Sequence, residues 1–95
     1  MLHTVSHSLY QIDIDALLQS IGSNDGILLL QDGVTSVVSG NRLLSSLLNM
    51  GVPVYALSED ILARGLQHRV DGHIKLINYT GFVELTTHHR QQMFW

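Results

Sequence analysis

The sequence predicts an α/β protein: a three-layer α/β/α arrangement over a mainly parallel sheet of four to five strands, in a single domain spanning residues 1–95. Three observations lead there. Short apolar runs of strand length alternate with stretches whose apolar residues recur at i, i+3, i+4 and i+7. The most apolar run, Ile27-Leu28-Leu29-Leu30, does not alternate with polar residues, as expected of a central strand covered on both faces. The resulting order, β-α-β-α-β-α-β-α, implies parallel neighbours joined by right-handed crossovers.

Each element has its own local signal. Leu2-His3-Thr4-Val5 reads as the first strand. Asp13 is placed to cap a helix whose Ile14, Leu17, Leu18 and Ile21 form one apolar stripe, and Gly22 suits a left-handed C-terminal position. Ser23-Asn24-Asp25-Gly26 is turn chemistry before the Ile27 strand. Asp32-Gly33 breaks that run, and Val34, Val37 and Val38 then repeat at helical spacing. Asn41 is a second N-cap, followed by the stripe Leu43, Leu44, Leu47 and Leu48, with Gly51 closing the helix. Pro53 opens the third strand, Val54-Tyr55-Ala56-Leu57. Ser58 is the expected cap of a short helix carrying Glu59 and Asp60 in its first turn, and Arg64-Gly65 ends it. Ile74-Lys75-Leu76-Ile77 is the fourth strand. Thr80 is the expected cap of the last helix, with Phe82, Val83 and Leu85 facing the core and His88, His89 and Arg90 at its C-terminus. The stripes predict that Leu17, Leu47 and Leu62 are core residues. Residues 91–95 form an apolar-ended tail, either a fifth strand or a docking segment. Phe94-Trp95 should dock on its own domain or on a partner, because free chain ends are usually polar.

Composition narrows the function. Only 14% of the 95 residues are charged and 45% are hydrophobic. Globular domains average about a quarter charged, so the surplus apolar surface predicts an interface with other chains. Five Lys and Arg against eight Asp and Glu leave a net charge of −3, too few cations to neutralise a phosphate backbone. The absence of cysteine removes disulfides, thiolate zinc sites, iron–sulfur clusters and thiol nucleophiles, and is compatible with the cytoplasm. Met1-Leu2-His3-Thr4 lacks the basic start of a signal peptide, and no apolar run approaches the ~20 residues of a membrane span, so a soluble protein is expected.

Ligands of open parallel sheets collect at the carboxyl ends of the strands, here Asp32-Gly33, Leu57-Ser58 and Asn78-Tyr79-Thr80. Asp32 could serve as metal ligand or base, but capping the following turn is the commoner role. No glycine-rich phosphate motif occurs. His3 and His7 belong to different elements, and His88-His89 point about 100° apart on a helix, so neither pair forms a metal site. Ser58, Asp60 and a histidine could be written as a triad, without the Gly-x-Ser-x-Gly elbow that would support one. No residue is therefore assigned a catalytic, cofactor-binding or metal-ligating role, and no cofactor is expected.

Met1-Leu2-His3-Thr4, Leu28-Leu29-Leu30-Gln31-Asp32-Gly33-Val34, Gly40-Asn41-Arg42, Val54-Tyr55-Ala56-Leu57, Ala63-Arg64-Gly65-Leu66, Tyr79-Thr80 with Phe82-Val83, and Gln92-Met93 with Trp95 run from end to end of the chain. In that order and spacing they resemble the DsrH-like subunits of TusBCD sulfur-relay complexes, in the DsrE/F/H-like family. The resemblance implies a cytoplasmic hetero-oligomer, a dimer of heterotrimers with TusC-like and TusD-like partner subunits. That complex takes persulfide sulfur from TusA and passes it through TusE toward 2-thiolation of the tRNA wobble uridine. It also implies that the sulfur-carrying cysteine lies on the TusD-like subunit, in the loop after the third strand. The comparable place here, Leu57-Ser58, has no thiol, so the resemblance implies a non-catalytic subunit. Two other readings stand beside it: a homo-oligomeric ligand-binding module, and a small hydrolase using Asp32 and Ser58.

Overall fold

The computed structural model describes residues 1–95. Its strands are β1 (Leu2–Val5), β2 (Gly26–Leu29), β3 (Val54–Leu57), β4 (Lys75–Ile77) and β5 (Gln92–Phe94), all parallel in the order β4-β3-β2-β1-β5. The helices are α1 (Ile14–Ser20), α2 (Arg42–Leu48), α3 (Ser58–Ala63) and α4 (Tyr79–His88), with 3₁₀ turns at Leu9–Gln11 and Gln31–Ser36.

Topology decides which face each helix covers. From β1 to β4 the chain steps across the sheet in one direction, so right-handed crossovers put α1, α2 and α3 on the same face. From β4 to β5 it returns to the opposite edge, which carries α4 across the other face. The packing agrees. Val5, Ile27, Leu29, Val54 and Ala56 share a buried cluster with Leu17, Leu44, Leu47 and Ile61 from the three-helix side. Leu2, Thr4, Gly26, Leu28 and Leu57 are buried on the second face. There His89, just past α4, lies over Gly26, its Nε2 3.6 Å from where a glycine Cβ would stand.

Caps set the helix starts. The Asp13 carboxylate accepts the Ala16 amide at 3.1 Å, and Asn41 Oδ1 accepts those of Leu43 and Leu44 at 3.0 and 3.1 Å. Gly51 and Gly65 take the left-handed backbone that ends α2 and α3, with φ of +77° and +67°.

Several expectations are corrected. Asn78, not Thr80, caps α4, accepting the Gly81 amide at 2.9 Å. Ser58 lies inside α3, after an N-cap Leu57 that makes no side-chain capping bond. Gly22 is not left-handed; its amide donates to Asp25. Asp32 does not cap the following turn, because its carboxylate is drawn to Arg64. Leu62 is 65% exposed: α3 is only six residues long and Ile61 alone fills its core position. Phe82, Val83 and Leu85 are not core either, since α4 has no fully buried residue. The fourth strand starts one residue late, leaving Ile74 buried and Leu76 half exposed at the sheet edge. The tail resolves into β5, and the aromatic pair splits as strand alternation requires, Trp95 packing on the core and Phe94 remaining 74% exposed.

Candidate functional site

The carboxyl ends of β2, β3 and β4 come together as the sequence predicts, but their polar groups are occupied by one another. After β2, Gln31 adopts a left-handed backbone (φ +50°), and its amide donates to Asp60 of α3 at 2.6 Å. Gly33 is required next, because a Cβ there would run into the Val5 carbonyl oxygen. Asp32 receives Nη2 of Arg64 at 2.9 Å. After β3, Ser58 Oγ donates to Glu59 Oε1 at 3.1 Å, while Glu59 Oε2 takes the Tyr79 amide at the start of α4 at 3.0 Å. The Tyr79 amide, aided by Glu59's own amide and the Ser58 hydroxyl, holds the Glu59 carboxyl below its usual range.

Asp60 and Glu59 therefore tie the loops after β2 and β4 to the start of α3, and Asp32 ties the loop after β2 to its end. The triad that can be written from Ser58, Asp60 and a histidine is not assembled: Ser58 and Asp60 bond Glu59 and Gln31, and no histidine bonds either of them. His73 bonds Asp71 within its own turn at 2.8 Å, and no group of three His, Asp or Glu side chains is placed to hold a metal ion. Beyond Ser58 lies a shallow hollow of about 400 Å³ lined by Ser58, Glu59, Ile61, Leu62, Gln67 and Leu76. Its exposed apolar walls, Leu62 and Leu76, suit contact with another chain better than polar chemistry.

A second polar cluster sits at the opposite side of the sheet, where sequence reasoning found none. His3 of β1 is fully buried. Its Nε2 lies 2.8 Å from Asp25 Oδ2, and its Nδ1 accepts the Trp95 indole N–H at 3.2 Å. Asp25 also takes the Gly22 amide and the Met1 amine, both at 2.9 Å. Burial opposes ionisation of Asp25, but the Gly22 amide, the His3 ring and the Met1 amine together hold its carboxyl far below the usual range. Trp95 and His3 are 92 positions apart, so no local pattern could have announced this contact.

Comparison of folds defines the class first. The crystal structure of the ychN protein of Escherichia coli superposes with a TM-score of 0.77, covering 99% of this chain and 97% of that one at 15% identity. A conserved protein of unknown function from Bacteroides thetaiotaomicron superposes at 0.73, covering 99% and 93% at 12% identity. These likenesses establish the architecture of small parallel α/β/α proteins and nothing further. The chain belongs to the DsrH-like family: the family model described as DsrH like protein matches residues 7–92. It is 52% identical over 95 residues to Protein TusB of Escherichia coli, K12 strains included, with full coverage of both chains.

Proposed function

We propose that residues 1–95 act as one DsrH-like domain, a non-catalytic subunit of a cytoplasmic sulfur-relay complex serving 2-thiolation of the tRNA wobble uridine. Its partners are TusC-like and TusD-like chains in a dimer of heterotrimers, and the assembled complex exchanges sulfur with TusA and TusE. The observation that carries this reading is the end of β3. Persulfide carriage needs a thiol, and the chain offers there the Ser58 hydroxyl, already donated to Glu59, and no cysteine anywhere. Full-length identity of 52% to proteins named TusB and the exposed apolar residues support the same reading. No residue of this chain is given a catalytic, cofactor or metal role. No helix is long and apolar enough to cross a membrane.

The test is co-expression of the tagged chain with the TusC-like and TusD-like chains of its host, followed by incubation with a persulfide donor carrying labelled sulfur. The three chains should co-purify, with label on a partner cysteine and none on this chain. Stable label on this chain, or its isolation as a free monomer under those conditions, overturns the proposal.

A further inference from the structure

The Trp95–His3–Asp25 cluster lies away from the strand-end loops, and the proposed relay role makes no use of it. His3 has no exposed surface, yet both ring nitrogens are committed. An indole N–H only donates, so the His3 Nδ1 facing it must carry a lone pair. Nε2 then carries the proton and donates it to Asp25, whose carboxylate is fixed by the Gly22 amide. The ring is thus neutral, in a single tautomer. On its far side the bond holds Trp95, which follows an edge strand that touches only β1. The backbone holds the same residue: Trp95 N donates to Thr4 O at 2.9 Å and Ser6 N donates to Trp95 O at 3.1 Å, so the indole bond adds to the β1–β5 ladder.

We propose that His3 is a proton-controlled latch on the C-terminal strand. In the neutral ring, Nδ1 accepts the Trp95 indole and holds β5 against β1. A proton taken up from solvent at Nδ1 converts that acceptor into a donor. Two N–H groups then face each other at 3.2 Å, the indole leaves, and the imidazolium stays paired with Asp25. The latch sets whether Met93 and Phe94, both exposed on β5, are presented on a fixed strand or a loose one.

The charged and titratable groups around the ring are few. Asp25, immediately before β2, favours protonation. The Met1 amine, bound to Asp25, opposes it. His89 beyond α4 feels both the amine and Asp25. His7, after β1, lies with Nδ1 3.2 Å from the Trp95 carbonyl oxygen and is the competing candidate for any effect on the tail. No side chain of α1 or α2 is ion-paired with the ring.

The test uses the full ¹⁵N-labelled chain titrated from pH 8 to pH 5. Trp95 is the only tryptophan, so one indole resonance reports the latch. At pH 8 the His3 ring should show the Nε2–H tautomer. On acidification the ring and the indole proton should shift with a common midpoint. Below it, the exchange protection of the amides of residues 92–95, corrected for the intrinsic pH dependence of exchange, should fall about two- to tenfold, the loss of one hydrogen bond. His3→Gln should remove the indole transition, whereas His7→Gln and His89→Gln should retain it. An indole that stays fixed while His3 titrates, or a His3 ring that stays neutral to pH 5, overturns the proposal. So does a transition that survives in His3→Gln or vanishes in His7→Gln. If His3→Gln does not fold, the midpoints of the wild-type and His7→Gln chains decide alone.

Discussion

Two residues show how tightly the strand-end region and the second sheet face are specified. Gly33 is held by a close approach, since the 3₁₀ turn at Gln31–Ser36 passes directly over the Val5 carbonyl at the end of β1. A backbone obstacle cannot swing aside as a flexible side chain would. Gly33→Ala should therefore cost about 2 kcal/mol or more, measured as the shift of the urea midpoint at constant m. An unchanged midpoint would mean that the turn can lift off β1. Thr4 carries the opposite signature. Its side-chain oxygen is buried with no hydrogen-bond partner, while its neighbours on that face are apolar. An unsatisfied buried hydroxyl costs roughly 1–3 kcal/mol, and Val has the same shape without it. Thr4→Val should raise stability by about 1 kcal/mol in the same assay; a loss would show that the hydroxyl is solvated or paired in solution.

At the level of elements, the helix stripes divide into those that reach the core and those that do not. Leu47 and Leu62 look alike in sequence, but α2 buries Leu47 completely while α3 turns Leu62 outward. Leu47→Ala should cost about 2–5 kcal/mol, and Leu62→Ala within about 0.5 kcal/mol, by thermal or chemical unfolding. Comparable losses at both sites would contradict the packing. The end of α4 makes a pH prediction. Burial of His89, aided by repulsion from the Met1 amine and His88 and opposed by Asp25, lowers its pKa from the ordinary value. The unfolded chain then binds the proton more readily than the folded one. His89 thus contributes stability fully above its unfolded value of about 6.5, and that contribution is lost as pH falls through its lower folded value. His89→Gln should flatten the fall in stability between pH 7 and pH 5; an unchanged slope would assign that fall to other groups. What was legible in the sequence follows the same division. Asp13, Asn41, Gly51, Gly65 and the Ile27-Leu28-Leu29-Leu30 run act within a few residues, and their elements form as expected, the strand shifted one residue earlier to Gly26–Leu29. The poor burial of α4, the outward turn of Leu62 and the pairing of Asp32 with Arg64 depend on where distant elements come to rest. So does the entire His3–Asp25–Trp95 cluster. No local pattern encodes them.

At the scale of the molecule, three helices share one face of the sheet and a single helix crosses the other. Five strands at about 4.8 Å spacing make a sheet nearly 20 Å wide, whereas α4, with ten residues, is about 15 Å long and 10 Å across. One helix cannot cover that face to its edges. Phe94 accordingly stands exposed on the β5 side, and Tyr79 and Val83 on α4 itself, in a chain with only 14% charged residues to cover its surface. An obligate interface of about 2,000 Å² takes about 1,000 Å² from each partner, roughly a fifth of this chain's 5467 Å². On the α4 and β5 face, Phe94, Tyr79 and Val83 are exposed side chains that such an interface would cover. The two terminal aromatics separate assembly from folding, because Trp95 is spent on this chain's own core and His3 whereas Phe94 touches solvent. Phe94→Asp should leave the unfolding midpoint within about 0.5 kcal/mol of wild type. It should still reduce recovery of co-expressed partner subunits by about tenfold or more, the effect of burying an unpaired charge where an aromatic anchor belongs. Trp95→Ala should lower stability first and recovery only as a consequence. If Phe94→Asp and Val83→Asp both assemble at wild-type levels, the partner contacts lie elsewhere. The hollow walled by Leu62 and Leu76 at the opposite edge of the sheet then becomes the surface to which the same pair of measurements applies.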